Sequence, residues 1–271
     1  MKKVIITGIL VCVSLMLLST SILYQKFMQR VERCEPYPLT AMQHAHNDSI
    51  TKIIVIGDSW GDLANKYNIP EYIDSLMYTK GIKTITKAKG EHGATSRKIY
   101  NNMHYDGNDI NSTKPLIENT PQYAILFCGV NDSHGQYGKD FYAYHTSLIV
   151  KEMLHHNIKP IILELPHYDI ERQYGHYSFT KRSGYRLLSF MSDRTFYINN
   201  ITRYRTEIKK NFTEQGIIDK VTWISIDTFS KQKCYDNSMH LNNHGYQCLA
   251  NIIVEIIFND IKKTENGKLS H

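Results

Sequence analysis

The sequence predicts an α/β fold, a three-layer α/β/α sandwich around a mainly parallel five-stranded sheet. Short apolar runs, several ending at glycine or proline, alternate along the chain with segments of helical periodicity. The runs are apolar at consecutive residues, which is typical of strands that are buried on both faces. Strands that alternate with helices form parallel sheets covered by helices.

Five runs supply the strands, and two of the helices are evident from an apolar face that recurs every three or four residues. The predicted strands are Ile53–Ile56, Ile82–Ala88, Tyr123–Cys128, Pro160–Leu165 and Val221–Ile226. The two helical faces comprise Phe141, Tyr144, Leu148, Ile149 and Met153, and Tyr246, Leu249, Ala250, Ile253 and Ile257.

Composition divides the 271 residues into four regions. Residues 1–24 are predicted to be a transmembrane anchor or a signal peptide, and residues 25–50 a linker. Residues 51–262 form the predicted α/β domain, and residues 263–271 a polar tail.

The uncharged run Val4–Tyr24 is 21 residues long. At about 1.5 Å per residue it is just long enough for a hydrocarbon core of about 30 Å. A cleaved signal peptide is the alternative, with Val4–Leu18 as its apolar region and Ser19-Thr20-Ser21 as the cleavage site. Basic residues flank both ends, so charge does not set the orientation. The very short N-terminal tail favours export, either as a single-pass protein with an extracytoplasmic domain or as a secreted or periplasmic one.

The formal net charge is +6, and its Lys and Arg residues are scattered rather than clustered. This distribution argues against nucleic acid as a partner and gives no indication of the oligomeric state. Residues 167–215 are basic and rich in tyrosine, which suggests a surface for an acylated glycan; a solvated insertion is the alternative. Its candidate residues are Arg172, Lys181, Arg182, Arg186, Arg194, Tyr168, Tyr174, Tyr177 and Tyr185.

The five cysteines follow no metal-ligand spacing, so the sequence predicts no metal and no cofactor. Cys128 lies in an apolar run and is predicted to be a core thiol. For Cys34, Cys234 and Cys248 two states stay open, a disulfide between Cys234 and Cys248 or free thiols.

Four polar segments follow predicted strands, where parallel sheets bind ligands. They are Gly57–Trp60, Gly90–Ser96, Gly129–Asp132 and Asp236–Asn242. Each segment alone has little significance, but the set in this order points to a catalytic site. A serine hydroxyl needs a base within hydrogen-bond reach to act as a nucleophile, and a histidine titrates in the right range. Ser59 and His240 are the candidates.

The four segments resemble the signature blocks of the SGNH (GDSL-like) hydrolases over residues 52–258, with Ser59, Gly93, Asn131 and His240 at the four named positions. The resemblance implies a flavodoxin-like sandwich and a serine esterase with Ser59 as nucleophile and His240 as base. It also implies an oxyanion hole built from the backbone N–H groups of Ser59 and Gly93 and the side-chain amide of Asn131. No metal or cofactor is implied.

One position departs from the family's pattern. The aspartate expected three residues before the histidine is replaced by Asn237, and Asp236 lies four residues before it. We expect Asp236 to orient His240 through a local bulge. The alternatives are orientation by Asn237 or by a backbone carbonyl in a Ser-His dyad, or an impaired enzyme.

Three functions follow from these residues. The first is hydrolysis of an acyl ester, chiefly an acetyl ester, on an envelope glycan. The second is O-acyl transfer through the same acyl-enzyme, and the third is a catalytically weak glycan-binding or assembly protein.

Overall fold

The computed structural model describes residues 2–39, 50–105, 108–135, 137–168, 175, 177–192 and 200–269. It confirms the predicted α/β fold, with five strands in one sheet and helices packed around it. The strands are β1 Thr51–Gly57, β2 Thr84–Gly90, β3 Tyr123–Phe127, β4 Lys159–Leu163 and β5 Thr222–Ile224.

The strand order is β2-β1-β3-β4-β5, and every neighbouring pair is parallel. After β2 the chain crosses to the other side of β1, so the order reverses beside β1. Ligands of open parallel sheets bind at such a reversal, outside the carboxyl ends of the strands. Gly57, the last residue of β1, is in register with Gly90 of β2 and Phe127 of β3. The segments that follow these three strands therefore leave the sheet at the same level.

Several of the described helices form two groups by their contacts with one another. In one group α3 contacts α2 and α11; in the other, α7 contacts α4, α6 and α9. All residues of β3 are buried, as expected for a strand covered on both faces. The helices are α1 Lys2–Arg30, α2 Ser59–Lys66, α3 Ile69–Thr79, α4 Ser96–Asn102, α5 Lys114–Glu118, α6 Val130–His134, α7 Lys139–His155, α8 Phe179–Ser192, α9 Asn200–Glu214, α10 Lys231–Cys234 and α11 Asn243–Leu269.

Two glycines at strand ends permit a close approach of backbone segments. A Cβ atom at Gly57 would lie 2.1 Å from the carbonyl oxygen of Phe127, and one at Gly90 would lie 2.2 Å from that of Asp58. No side chain fits at those distances. The glycines thus bring the ends of β1, β2 and β3 together and fix where the polar segments begin.

Helix α1 contains one stretch, Ile6–Arg30, that is long and apolar enough to cross a membrane, and none of its most apolar window is buried. Such a helix fits either an anchor or a signal sequence. The boundaries of the four regions stay predictions.

The first part of the predicted linker lies against the domain. Phe27 and Val31 are buried. The backbone N–H of Cys34 donates to Nε2 of His145 at 3.2 Å. The hydroxyl of Tyr144 donates to the carbonyl oxygen of Cys34 at 3.1 Å. These contacts, and the bond from the N–H of Tyr37 to the hydroxyl of Tyr100, hold residues 27–37 against the domain. Residues 40–49 lie outside the described residues.

We expect this packing to contribute to stability. In a chain truncated to residues 25–271, Phe27→Ala should lower the free energy of unfolding by about 2–4 kcal/mol, because a buried aromatic side chain is removed. Met28→Ala is the matched control, since Met28 is exposed. Thermal or denaturant unfolding of the two variants measures the difference. Equal stability would mean that the segment is a tether rather than part of the fold.

Candidate active site

The structure brings Ser59 and His240 together. The Oγ atom of Ser59 lies 2.9 Å from Nε2 of His240, although the two residues are 181 positions apart in the chain. Ser59 is the first residue of α2 and follows β1 directly, at the carboxyl edge of the sheet. His240 belongs to the loop of residues 235–242, which joins α10 to α11 and which we call the histidine loop. This pair has the geometry of a nucleophile and its base.

The base of the histidine loop is closed by backbone pairing. Tyr235 and Leu241 form an antiparallel bridge. The N–H of Asn242 donates to the carbonyl oxygen of Cys234 at 2.9 Å. Just after the loop, Tyr246 of α11 donates its hydroxyl hydrogen to the carbonyl oxygen of Trp60 in α2 at 2.9 Å. The loop is thus held to the helix that begins with Ser59.

The three expected oxyanion donors lie on the segments that follow β1, β2 and β3. Nδ2 of Asn131 donates to the carbonyl oxygen of Ala94 at 3.0 Å and lies 3.4 Å from Oδ2 of Asp58. Asn131 therefore bridges the residue after Gly93 and the residue before Ser59. Within the described part of the chain, the backbone N–H groups of Ser59 and Gly93 have no acceptor. The two backbone N–H groups suit an oxyanion hole, whereas the Asn131 amide would have to release Asp58 or Ala94 to donate to a substrate.

Gly93 has a positive φ of 75°, and a Cβ atom there would meet nothing within 4 Å. Glycine is required for the backbone conformation rather than for space inside the protein. The open side leaves room for a substrate to approach the N–H group.

Two carboxyl groups are fully buried under the site. Burial raises the pKa of Asp58 to about 7, although the N–H of Trp60 donates to its Oδ1 at 2.9 Å. Burial also raises the pKa of Asp132 to about 6, although the hydroxyl and the N–H of Ser96 both donate to its carboxylate and lower that pKa. The two bonds from Ser96 connect the segments that follow β2 and β3 beneath the site.

The expectation that Asp236 orients His240 is not met by this geometry. The carboxylate of Asp236 accepts a hydrogen bond from the hydroxyl of Tyr67 at 3.1 Å. Nδ2 of Asn237 lies 3.4 Å from Nδ1 of His240 instead. The physical reason is that Tyr67, at the end of α2, holds the Asp236 side chain. Asn237 thus takes the orienting position.

The orientation of the Asn237 amide has a consequence for the tautomer of His240. Oδ1 of Asn237 accepts the N–H groups of Met239 at 2.8 Å and His240 at 2.9 Å. The NH₂ group must therefore face Nδ1 of the ring, because the flipped amide would put donors against donors. A neutral ring whose Nδ1 accepts this hydrogen carries its own proton on Nε2. That tautomer donates to Ser59 and has no lone pair to receive the serine proton.

The pKa of His240 is lowered from its ordinary value of 6.5, first by burial and then by the nearby His92, while Asp236 opposes the shift. His92 is exposed, and its Nδ1 lies 3.5 Å from Oδ2 of Asp62. His92 lies within the Gly90–Ser96 segment but has no role in the motif, and Tyr67 lies outside the four segments. Their place beside His240 could not be predicted from the sequence.

We expect a pH profile that follows from this shift. The base acts when neutral, so kcat/KM should rise with pH through a midpoint below 6.5, because the pKa of His240 is lowered. His92→Gln removes the neighbouring side chain that lowers the pKa of His240 and should move the midpoint to higher pH. Rates between pH 4.5 and 8 on a soluble ester measure both midpoints. An unmoved midpoint in His92→Gln would show that His92 does not act on His240.

The basic, tyrosine-rich segment is described only in part. Arg172, Tyr174 and Arg194, and the side chain of Tyr185, lie outside the described residues. Tyr168 does not face solvent: it is buried, and its hydroxyl bonds Oγ of Ser133 at 2.7 Å. Lys181, Arg182 and Arg186 are exposed, and Lys181 lies over the ring of Tyr177.

No protein-family model and no curated protein match the sequence. Solved structures do. An acetyl xylan esterase aligns with a TM-score of 0.52 at 15% identity, over 76% of this chain and 99% of that chain. A lipase/acylhydrolase from Enterococcus faecalis aligns with a TM-score of 0.52 at 17% identity, over 78% and 96%. A protein of the G-D-S-L lipolytic family from Desulfitobacterium hafniense aligns with a TM-score of 0.51 at 16% identity, over 76% and 99%. The chain therefore has the SGNH (GDSL-like) hydrolase fold.

Proposed function

We propose that this SGNH-fold chain is a serine esterase that cleaves short acyl esters, chiefly acetyl esters, through an acyl-enzyme on Ser59. The contact of 2.9 Å between Oγ of Ser59 and Nε2 of His240 carries the proposal. It occurs at the carboxyl edge of a parallel sheet, beside two free backbone N–H groups and the Asn131 amide.

The proposed reaction has two halves. In the tautomer with its proton on Nδ1, His240 takes the proton of Ser59 at Nε2 while Oγ attacks the ester carbonyl, and the negative charge passes to the carbonyl oxygen beside the oxyanion donors. The C–O bond to the alcohol then breaks, and His240 returns the proton to the departing alcohol. A water molecule then attacks the acyl carbonyl while His240 takes its proton. The bond to Oγ breaks, His240 returns the proton to Ser59, and the acid is released. The reaction consumes one water molecule and needs neither a metal ion nor a redox partner.

A glycan is the proposed carrier of the acyl group. An open groove of about 380 Å³ lies next to Tyr67, whose hydroxyl bonds the histidine loop. Its walls combine aromatic rings, amides, a hydroxyl and a carboxylate, which suit the faces and hydroxyls of sugars: Tyr67, Asn68, Glu71, Tyr72, Ser75, Asn243 and Gln247. One structure of the same fold is an acetyl xylan esterase, which makes acetylated sugars the first substrates to test.

We place the domain outside the cytoplasm, next to the membrane. Helix α1 supplies an anchor or an export signal, and residues 27–37 lie against the domain rather than forming a free stalk. With an intact anchor, the site would stay close to the membrane and to acylated envelope glycans. The N-terminal sequence of the protein isolated from membranes distinguishes an anchor from a cleaved signal.

The test is hydrolysis of a chromogenic acetyl ester, followed by acetylated oligosaccharides with analysis of the products. Release of acetate with and without an added sugar acceptor supports the esterase. Transfer of the acetyl group to the acceptor instead would identify an O-acyltransferase, which shares the acyl-enzyme. Binding of oligosaccharides without turnover would support the third function, a weak catalyst that binds glycans.

A further inference from the structure

Three metal-binding side chains meet at the base of the histidine loop, although the sequence showed no metal-ligand spacing. They are Cys234, the last residue of α10, and His244 and Cys248 in the first turns of α11. One ligand atom of each lies within 4.8 Å of the others. His244 and Cys248 are four residues apart and share a helix face.

Cys234 reaches this helix face because α10 and α11 approach closely. A Cβ atom at Gly245 would lie 2.2 Å from the carbonyl oxygen of Cys234, so only glycine fits there. Cys234 is buried, Cys248 is half-buried and His244 is exposed. The cluster therefore has a fixed inner ligand and an open side through which an ion can enter.

The contact between His244 and Cys248 has the spacing of two ligands of a tetrahedral ion. Sγ of Cys248 lies 3.7 Å from Nε2 of His244. Zinc binds thiolate at about 2.3 Å and imidazole at about 2.0–2.1 Å, so ligand atoms around it are roughly 3.6 Å apart. Two thiolates and an imidazole also match the preference of this borderline-soft ion. We propose that Cys234, His244 and Cys248 form a zinc site whose fourth ligand is water.

The ion would act on the histidine loop. Cys234 directly precedes the loop, and His244 follows it within two residues. The ion would therefore connect the two ends of the loop, which the hydrogen bond from Asn242 to Cys234 also connects. Binding displaces the protons of both thiols and adds a second closure at the base of the loop. Zinc is therefore expected to stabilise the loop that carries His240 without contacting the substrate.

A disulfide between Cys234 and Cys248 competes for the same thiols. It would not use His244, whose Nε2 faces Cys248 in the structure. It would also require the sulfur atoms to approach to about 2.05 Å, at the expense of the ligand spacing. The presence of the third ligand favours the ion.

The experiment uses the full chain in detergent, reduced and then freed of metal and excess thiol. Co²⁺ serves as a spectroscopic probe, because a thiolate-bound ion gives a charge-transfer band in the near ultraviolet, and zinc then displaces it. We expect one equivalent per chain. Cys234→Ser and His244→Ala should each weaken zinc binding at least about tenfold, because each removes a direct ligand. Cys34→Ser is the matched control and should bind like wild type.

A second readout is thermal stability. Zinc should raise the Tm of wild type and Cys34→Ser more than that of His244→Ala at the same zinc concentration, because an ion that binds the folded state stabilises it more the more tightly it binds. The proposal is overturned if wild type and His244→Ala bind zinc equally, or if no thiolate band forms. It is also overturned if the chain isolated without reductant carries a Cys234–Cys248 disulfide in mass spectra and the reduced chain takes up no zinc. None of these readouts depends on ester hydrolysis, so failure of the zinc site and failure of the esterase are separable.

Discussion

Ser59→Ala should abolish turnover of an acetyl ester while the fold stays intact. Removal of a serine nucleophile leaves only binding and the oxyanion donors, and we expect kcat to fall by at least about 10³. The fold should survive, because the substitution deletes one oxygen whose partner is His240. Circular dichroism and thermal unfolding of the variant verify that the loss is chemical.

Covalent labelling provides an independent measurement of the same prediction. A fluorophosphonate reacts with activated serines, so it should label wild type at Ser59 and leave Ser59→Ala unlabelled. Ser225→Ala, at an exposed serine away from the motifs, is the matched control and should label like wild type. Wild-type rates in purified Ser59→Ala would contradict the proposed function as a whole.

The sheet could be predicted from the sequence because its strands are continuous apolar runs. The structure has strands at all five predicted positions, with ends that shift by a few residues. The first, Ile53–Ile56, lies within β1, and Gly57 ends both the run and the strand. The motif segments were then expected at one edge, because parallel strands of a single sheet end on the same side.

The detail of the histidine loop could not be predicted in the same way. Asp236 and Asn237 are neighbours with side chains of nearly the same size. The choice between them depends on Tyr67, which is held at the end of α2 and bonds the Asp236 carboxylate. No local pattern in the sequence shows where a tyrosine from another helix will lie.

The proposed zinc ligands could not be predicted for a related reason. Cys234 and His244 are ten residues apart, outside the short spacings that indicate a metal site. They meet because the histidine loop folds back on itself and because Gly245 lets α11 approach Cys234. The packing of residues 27–37 against the domain could not be predicted either, because a segment of mixed, polar composition has the sequence pattern of a linker.

Asn237→Asp is expected to raise kcat rather than lower it. The new carboxylate can keep one oxygen on the N–H groups of Met239 and His240, as the amide oxygen is now. Its other oxygen replaces the NH₂ group that lies 3.4 Å from Nδ1 of His240. An acceptor at Nδ1 favours the tautomer with its proton there, which frees Nε2 to take the proton of Ser59.

The charge adds to the effect of the tautomer. A carboxylate beside the ring stabilises the imidazolium that forms as Ser59 attacks, whereas an amide does so weakly. In a serine protease triad the reverse change, aspartate to asparagine, costs about 10⁴ in kcat. We therefore expect a gain of about 10²–10⁴ in Asn237→Asp. The pKa of His240 should also rise, so the acid limb of the kcat/KM profile should move to higher pH. A purely structural effect would not move that limb.

Asp236→Asn is the matched control, because it makes the same exchange of amide and carboxylate one residue away. It weakens the bond from Tyr67 but leaves Nδ1 of His240 as it is, so its kcat should change less than about tenfold. Steady-state kinetics of the two single variants and of the double exchange decide the role of each residue. A loss of several orders of magnitude in Asp236→Asn, with no gain in Asn237→Asp, would show that Asp236 orients the ring during catalysis. Unchanged rates in both variants would leave Ser59 and His240 acting as a dyad, with the ring oriented by neither side chain.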